Sequence, residues 1–436
     1  MKIHRFRTVL LVAGLCLAGS AEAAVQAGTP AATVIAVPPM TTPDTGSKGN
    51  EMLSMAWQAT QLIAQDLRET AEVMPLTPDR KDYYSYPEVT APSFPKWRDK
   101  GAKALITGFV RAGSDGRLTV GCYVYDVDKG RELGRKGFAV APSDWRRAAH
   151  KCSGLAYQAI TGAPGPFDSR IAYVAERGVG DARVKRVALM DADGFNHRYV
   201  TAGDTVVLTP HLSPKANRLA YVSFEGGTPQ VRILDIASHE QRPLVANGAM
   251  TFAPRYSSDG SKIVFSMMLG ANSDIYVVNA NGGLPQRLTT SPGIDTDPSF
   301  SPDGSKIVFE SDRSGSQQLY VMNADGSNER RISFGGGWYA APEWSPDGNL
   351  IAYTRRSAGA RQIGIMNPDG TGERTLTRGP ADDSPSWAAS SREIMFERAD
   401  ASGRPALFRL TLDGSEPRRM NIPQAGYDPD WSGSID

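Results

Sequence analysis

The chain contains 436 residues, of which 40% are hydrophobic, and this length and composition predict two or three domains with ordinary apolar cores. Its 48 Lys and Arg residues are balanced by 47 Asp and Glu residues, so the net charge is only +1. Proteins whose main function is nucleic-acid binding carry a strong positive patch, and this balance therefore argues against that class.

Residues 1–23 have the pattern of a cleaved signal peptide. Basic residues precede the short apolar run Val9–Ala18, and Ala21-Glu22-Ala23 fits the small-x-small cleavage rule. The apolar run is too short to remain as a membrane span. We therefore expect an exported, soluble protein that begins at Ala24 and is not stably inserted in a membrane.

Residues 24–162 predict a small α/β domain, which a Gly/Pro-rich linker at residues 163–169 connects to the rest of the chain. The predicted helices are Glu51–Glu69 and a segment that runs from a Ser143 cap to Gly162, and residues 70–99 are predicted to form a loop. The predicted strands are Thr33–Val37, Lys103–Val110, Leu118–Val127 and Gly137–Val140.

Two cysteines, Cys122 and Cys152, remain after the predicted cleavage. An oxidising compartment would allow them to form a disulfide. The alternative is a pair of buried free thiols, and the sequence alone leaves both possibilities open.

From residue 170 to residue 436 the chain is built from one repeated unit, seen most clearly at Asp297–Ser333. In this unit a Pro-Asp-Gly turn precedes the apolar segment Ile307–Glu310, and an Asp-Gly turn follows a second apolar segment at Leu319–Met322. The segment before the first turn contains Pro298 and is predicted to be extended, because proline disfavours a helical predecessor. The unit therefore predicts four short strands joined by hairpins.

The unit recurs at intervals of 43 or 44 residues. Its proline lies at Pro210, Pro254, Pro298, Pro342, Pro385 and Pro429. Its second strand recurs at Ile171–Val174, Leu219–Val222, Ile263–Ser266, Ile307–Glu310, Ile351–Thr354 and Ile394–Glu397. A period of this length with four strands is typical of propeller blades. The predicted fold is mostly β: a six-bladed β-propeller preceded by the small α/β domain.

The two ends of the repeat array are complementary. The first copy, which begins at Arg170, lacks a first strand, whereas the last copy, Asp428–Ser432, consists only of that strand. We expect the C-terminal strand to complete the first blade and close the ring, which leaves no open sheet edge. The aromatic residues of the first strands are expected to pack between blades; they are Phe300, Trp344, Trp387 and Trp431.

The sequence contains no catalytic constellation that we can defend. It has no G-x-S-x-G motif, and we expect no hydrolase domain after the propeller. The histidines, including His150 and His211, lack metal-ligand spacing, so surface or turn roles are expected. Asp191-Ala-Asp193-Gly194 resembles half of a calcium loop, but Ala202 occupies the position of the required glutamate, and a hairpin turn is predicted. We predict no enzyme, no cofactor and no metal site.

Two alternatives remain open at this point. One is a propeller enzyme that uses the central tunnel, which would need ionisable groups converging from the innermost strands. The other is a glycan-binding module, which would need exposed aromatic residues along a groove.

The repeats and the order of the domains resemble the TolB family of the Tol–Pal system. The resemblance rests on the [FW]-S-P-D-G-x-x-[IL]-[AV]-[FY] repeats, on the junction Ile160–Val174 and on the segment Trp97–Gly108. It implies a monomeric, non-enzymatic periplasmic scaffold. Such a scaffold binds the outer-membrane lipoprotein Pal and, through its N-terminal segment, the inner-membrane protein TolA. It maintains the outer membrane and supports its invagination during cell division.

The resemblance also implies a partner site at the mouth of the propeller. Family contacts with Pal match Ala253 and Thr296 here, and a neighbouring family histidine is replaced by Met250. Loops of one class converge on one face of a propeller, and this adds Asp297 and Ala340 to the expected site. We therefore expect all five residues to bind a protein partner and to lie in loops outside the blade cores.

Overall fold

The computed structural model describes residues 32–70, 72–178, 180–246, 248–412 and 415–433. The predicted signal peptide and residues 24–31 lie outside the described residues. Within those ranges, no helix combines the length and the apolar character needed to cross a membrane.

The α/β domain is built on one five-stranded sheet. Its elements are β1 (Thr33–Ala36), α1 (Gly46–Arg68), β2 (Val73–Pro75), α2 (Pro95–Asp99), β3 (Ala104–Ala112), β4 (Leu118–Asp126), β5 (Arg131–Val140) and α3 (Trp145–Thr161), with 3-10 turns at Arg80–Asp82, Tyr86–Val89 and Pro142–Asp144. The strand order is β2-β1-β3-β4-β5. β1 is parallel to both of its neighbours, and β3, β4 and β5 are antiparallel.

Helices α1 and α3 bury an apolar stripe against this sheet. The stripe of α1 includes Met52, Ala56 and Ile63, and the side chains of α3 join the same core. α3 ends at Gly162, whose φ of +78° is the left-handed cap that glycine favours. Cys122 and Cys152 are joined by a disulfide with a Cα–Cα distance of 5.8 Å, so the question left open by the sequence is answered.

The predicted loop over residues 70–99 is wrong in part. It contains β2, α2 and two of the 3-10 turns. β2 is only three residues long and exists because it pairs with β1 across a long stretch of sequence, Thr33 opposite Val73. Such a strand has no local periodicity, so the sequence pattern could not reveal it.

The rest of the chain forms six four-stranded sheets. Their strands are β6 (Arg170–Arg177), β7 (Val184–Asp191), β8 (Arg198–Tyr199), β9 (Val207–Leu212), β10 (Arg218–Ser223), β11 (Gln230–Asp235), β12 (Gln241–Pro243), β13 (Met250–Tyr256), β14 (Lys262–Leu269), β15 (Asn272–Asn279), β16 (Gln286–Arg287), β17 (Asp295–Phe300), β18 (Lys306–Ser311), β19 (Gln318–Asn323), β20 (Arg330–Arg331), β21 (Trp338–Trp344), β22 (Ile351–Ser357), β23 (Ala360–Met366), β24 (Arg374–Thr375), β25 (Asp382–Trp387), β26 (Glu393–Ala399), β27 (Pro405–Thr411), β28 (Arg418–Arg419) and β29 (Ala425–Trp431). We number the blades in chain order: blade 1 is β29-β6-β7-β8, and blades 2 to 6 are the following groups of four. The predicted fold class is confirmed.

Blade 1 is assembled from both ends of the propeller sequence. β29 pairs with β6 in antiparallel register, with Trp431 opposite Ile171 and Tyr427 opposite Val174. The Arg170 amide also donates to the Ser432 hydroxyl, at 2.8 Å. The aromatic residues at the ends of the first strands pack between neighbouring blades, as predicted: Trp387 lies among residues of blades 5 and 6, and Trp431 among residues of blades 1 and 6.

Each innermost strand contains a β-bulge at its proline. The residue before each proline has a positive φ, between +42° and +54°: Thr209, Ala253, Asp297, Ala341, Ser384 and Asp428. At each of these points two residues of the first strand oppose one residue of the second strand. The extended segment predicted at Pro298 is confirmed, because Pro298–Phe300 lies in β17, and the bulge adds a left-handed residue, Asp297, directly before it.

Candidate functional site: the propeller canal and its mouth

The six innermost strands all begin at one end of the central canal, which we call the mouth. The opposite end carries the tight Pro-Asp-Gly turns, and the α/β domain contacts the propeller on that side. Arg392, directly before β26, pairs there with Glu72, and Arg409 lies 3.3 Å from Glu69. The mouth therefore faces away from the α/β domain.

Four exposed apolar side chains line the mouth, and we call them the apolar crescent. They are Val206, Met250, Ile294 and Trp338, with exposed fractions of 43%, 38%, 44% and 51%. Each lies four residues before a repeat proline, so they occupy one equivalent position in blades 2 to 5. In blades 6 and 1 the same position holds Ala381 and Ala425. Clustered exposed apolar side chains of this size mark interaction surfaces more often than scattered ones do.

The five residues predicted for the partner site all lie at the mouth end of the canal, but not in loops. They belong to the innermost strands β13, β17 and β21. Met250 is in the crescent, whereas Ala253 is buried in its bulge. Thr296 accepts a hydrogen bond from Ser266, at 3.1 Å, and Ala340 pairs with Thr354 across the blade. The expectation of loop positions outside the blades is wrong, because the strands extend to the rim.

Behind the crescent, five acidic side chains converge, and we call them the mouth carboxylates. They are Asp297, Glu310, Asp383, Glu397 and Asp428. Burial raises the pKa of Asp297 to about 6 and that of Glu397 to about 8, and repulsion from neighbouring carboxylates adds to both shifts. Burial also raises the pKa of Glu310 and Asp428. These groups retain protons at a pH where exposed carboxyls are ionised.

Several mouth carboxylates hold the bulges in place. Glu397 Oε2 accepts the backbone N–H of Asp428, at 2.9 Å, and Asp428 Oδ2 accepts the N–H of Thr209, at 3.1 Å. Asp383 Oδ2 lies 2.6 Å from the guanidinium of Arg361. Sequence reasoning found only Asp297 of this group. The available signal was a glutamate that ends the predicted second-strand segment in two repeats, at Glu310 and Glu397.

A second ring of side chains lies deeper in the canal, at the position after each repeat proline. Its members are His211, Arg255, Ser299, Glu343, Ser386 and Asp430. Five of them accept the N–H of the first strand of the next blade: Tyr256 to His211, Trp344 to Ser299, Trp387 to Glu343, Trp431 to Ser386 and Leu212 to Asp430, at 2.7 to 3.3 Å. The ring therefore ties each blade to its successor.

Arg255 is the exception, because a guanidinium cannot accept a hydrogen bond. It lies 3.7 Å from Asp430 and 4.0 Å from Glu343 across the canal. Burial raises the pKa of Asp430 to about 7, although Arg255 opposes this shift. Burial and the charge of Arg255 lower the pKa of His211 well below its ordinary value. His211 thus lines the canal, and the surface or turn role expected for it is wrong.

A cavity of about 270 Å³ opens at this deeper ring, lined by His211, Arg255, Glu343 and Asp430 among others. Its ionisable groups do converge from the innermost strands. His211, Glu343 and Asp430 each accept a backbone N–H of the next blade, whereas Arg255 and Glu343 Oε2 make no such bond among the described residues. Among the residues that the structure describes, no group of three or more His, Cys, Asp or Glu side chains is placed to hold a metal ion.

A buried histidine joins the two domains. His150 of α3 lies 2.8 Å from Asp66 of α1 through Nδ1, and 3.2 Å from Asp193 of the β7–β8 hairpin through Nε2. Arg146 also pairs with Asp193. Burial would lower the pKa of His150, but the two aspartates raise it to about 10. The surface or turn role expected for His150 is wrong, because the domains close over it.

These features define a two-domain β-propeller protein whose canal is tied together by side chains and whose mouth carries an apolar crescent over buried carboxylates. Comparison with known proteins makes the class specific. Residues 157–435 match the family described as the TolB beta propeller domain, and residues 22–133 match the TolB amino-terminal domain. The chain belongs to the TolB family.

Individual relatives agree with this assignment. The chain is 48% identical over 200 residues to the Tol-Pal system protein TolB of Zymomonas mobilis, which covers 46% of this chain and 44% of the relative. It is 49% identical over 226 residues to the same protein of Rhizorhabdus wittichii, covering 50% and 52%. These alignments thus span about half the length of the curated relatives. The crystal structure of TolB from Acinetobacter baumannii matches 92% of this chain and 97% of that chain, with a TM-score of 0.77 and 26% identity.

Proposed function

We propose that this protein is a non-enzymatic, periplasmic scaffold of the Tol–Pal system that binds a Pal-like outer-membrane lipoprotein at its propeller mouth. The observation that carries this proposal is the apolar crescent. Its four side chains repeat at one position in four consecutive blades, and this places them together on one rim of the canal.

The chemistry of the crescent suits a folded protein partner. Aromatic residues and methionine are enriched at the centres of protein interfaces, and burial of such side chains supplies most of the binding free energy. Trp338 is the largest member, and Arg356 lies 5.4 Å from its ring, so the aromatic face is held in place by a cation. The small residues Ala340 and Ala253 beside the crescent would allow a partner chain to approach the strands closely.

Two further observations support a scaffold rather than an enzyme. Five of the six side chains of the deeper ring accept a backbone N–H group of the next blade, so ring closure explains the placement of those five. The predicted signal peptide also favours export to the periplasm, and the TolB family models match both the amino-terminal domain and the propeller of this chain.

The second partner in this proposal is a TolA-like inner-membrane protein, bound through the N-terminal segment before β1. The Thr33 amide donates to the Glu72 carbonyl at 2.9 Å, and the Glu72 side chain pairs with Arg392 of blade 6. β1 therefore begins beside the contact between the domains. By linking both membranes the protein would maintain the outer membrane and assist its invagination during division.

The test is calorimetry with the periplasmic domain of the Pal-like lipoprotein from the same organism. Trp338→Ala and Met250→Ser should each weaken binding by about 1–3 kcal/mol without loss of folding, since both side chains are exposed in the free protein. Leu284→Ser is the control, because Leu284 is also apolar and is even more exposed, at 96%, but lies in the β15–β16 connection, at the turn end of blade 3. Unchanged affinity in both mouth variants, or no binding by the wild-type chain, would refute the proposal.

A further inference from the structure

We infer that the lipoprotein partner inserts a basic side chain, a lysine or an arginine, between the mouth carboxylates while its apolar surroundings rest on the crescent. This inference rests on the proposed function, since it concerns the partner of the same site. It adds the chemical character of the partner surface.

Acidic side chains outnumber basic ones at the mouth. The groups that face one another there are Asp297 of β17, Glu310 of β18, Asp383 of β25, Glu397 of β26 and Asp428 of β29, with Arg361 of β23 and Arg255 of β13 as the nearby cations. Arg361 is already paired with Asp383, and Arg255 lies deeper, between Asp430 and Glu343. The remaining carboxyl groups repel one another. An acidic partner segment would be rejected at this point, and a basic one attracted.

Glu310 supplies independent support for a ligand. Its side chain is only 3% exposed, and Oε1 accepts a hydrogen bond from Gln317 at 3.2 Å. Oε2 is buried and makes none of the hydrogen bonds found within the described part of the chain, although the backbone N–H of Ala341 lies close enough to oppose the rise in the pKa of this carboxyl. A buried carboxyl oxygen without a donor is costly, so such atoms are rare unless a bound group satisfies them. An ammonium or guanidinium from a partner would provide the missing donor.

The protonation of the cluster gives the inference a measurable signature. The raised pKa values of Asp297 and Glu397 mean that the free protein holds protons here near neutral pH. A bound cation stabilises the ionised carboxylates and lowers their pKa, so these protons are released on binding. By linkage, affinity for the partner increases as pH rises from about 6 to about 8. A neutral or acidic partner side chain would cause no release of protons.

The experiment measures proton release by calorimetry at pH 7, in two buffers with different ionisation enthalpies. With the lipoprotein domain, wild type should release protons. Glu310→Gln and Asp297→Asn should bind about tenfold or more weakly and release fewer protons. Asp325→Asn is the control, because Asp325 is exposed in the turn after β19 and hydrogen-bonds only to Ser327 among the described residues. Melting curves of each variant establish that it is folded.

The outcomes separate the two proposals. Binding with no proton release and with unchanged affinity in both carboxylate variants would overturn this inference and leave the scaffold function standing. No binding by wild type would overturn the scaffold function itself. In a second experiment the protein is titrated with calcium chloride alone. If the same proton release occurs without the partner, the carboxylates would be assigned to a metal ion instead. Protection of one lipoprotein lysine or arginine from chemical labelling, seen only in the complex, would support the inserted side chain.

Discussion

Replacing Trp431 with alanine should test how the ring is closed. The Trp431 side chain is 5% exposed, and it packs with Ile171 and Tyr173 of β6 and with Met395 and Leu407 of blade 6. Its Nε1 donates to the Ser169 hydroxyl at 2.8 Å. Truncation of a buried tryptophan costs about 3–5 kcal/mol, and loss of the partner of Ser169 adds about 1 kcal/mol. We expect the free energy of unfolding to fall by about 4–6 kcal/mol.

Urea unfolding followed by tryptophan fluorescence and circular dichroism measures this loss. Trp431→Phe keeps most of the apolar volume but not the N–H donor, so it should cost only about 1–2 kcal/mol. Trp338→Ala removes an exposed tryptophan from the mouth and should stay within about 0.5 kcal/mol of wild type. If Trp431→Ala is no more destabilising than Trp338→Ala, β29 does not close the ring by the packing described here.

Two further predictions concern the domain contact and the bulges. Because Asp66 and Asp193 raise the pKa of His150 to about 10 from an ordinary value of 6.5, its charge stabilises the folded state fully below about pH 6.5, and this stability is lost as pH rises towards 10. His150→Gln should therefore lower the urea midpoint more at pH 6 than at pH 9.5, and an equal loss at both values would contradict the charged contact. Ala253 has a φ of +46°, so Ala253→Val should destabilise by about 1–3 kcal/mol in the same assay whereas Ala253→Gly stays near wild type; equal stability of the two variants would show that the bulge carries no strain.

The blades could be predicted because the sequence features that define them lie close together along the chain. Asp-Gly turns and short apolar runs lie within a few residues of each other, and the 44-residue period repeats this pattern. The closure of the ring could also be predicted, since the copies at Arg170 and Asp428 lack complementary strands. The mouth carboxylates could not, because Glu397 and Asp428 are 31 residues apart and meet only after two blades have packed.

The backbone conformation of the residue before each repeat proline is set by tertiary structure and not by the local preference of the chain. Proline does favour an extended predecessor, yet all six predecessors have a positive φ. The reason lies in the preceding blade. The N–H of Asp428 is held by Glu397 of blade 6, and the N–H of Ser384 is held by Thr354 of blade 5, at 3.2 Å. These bonds outweigh a local preference of about 1–2 kcal/mol.

The same bonds bear on the binding that we propose at the mouth. A partner that docks on loops must first order them, and each ordered side chain costs about 0.5–1.5 kcal/mol of the binding free energy. Here Met250 and Trp338 begin paired strands, and Val206 and Ile294 directly precede theirs, with carbonyls that accept the N–H groups of Phe224 and Asp312. The bulges beneath the rim are fixed by hydrogen bonds such as Thr209 N–H to Asp428. The crescent is therefore presented by backbone that is already ordered. Most of the free energy gained by burying the crescent can then contribute to affinity. We therefore expect small exposed side chains such as Val206 and Ile294 to contribute measurably beside Trp338.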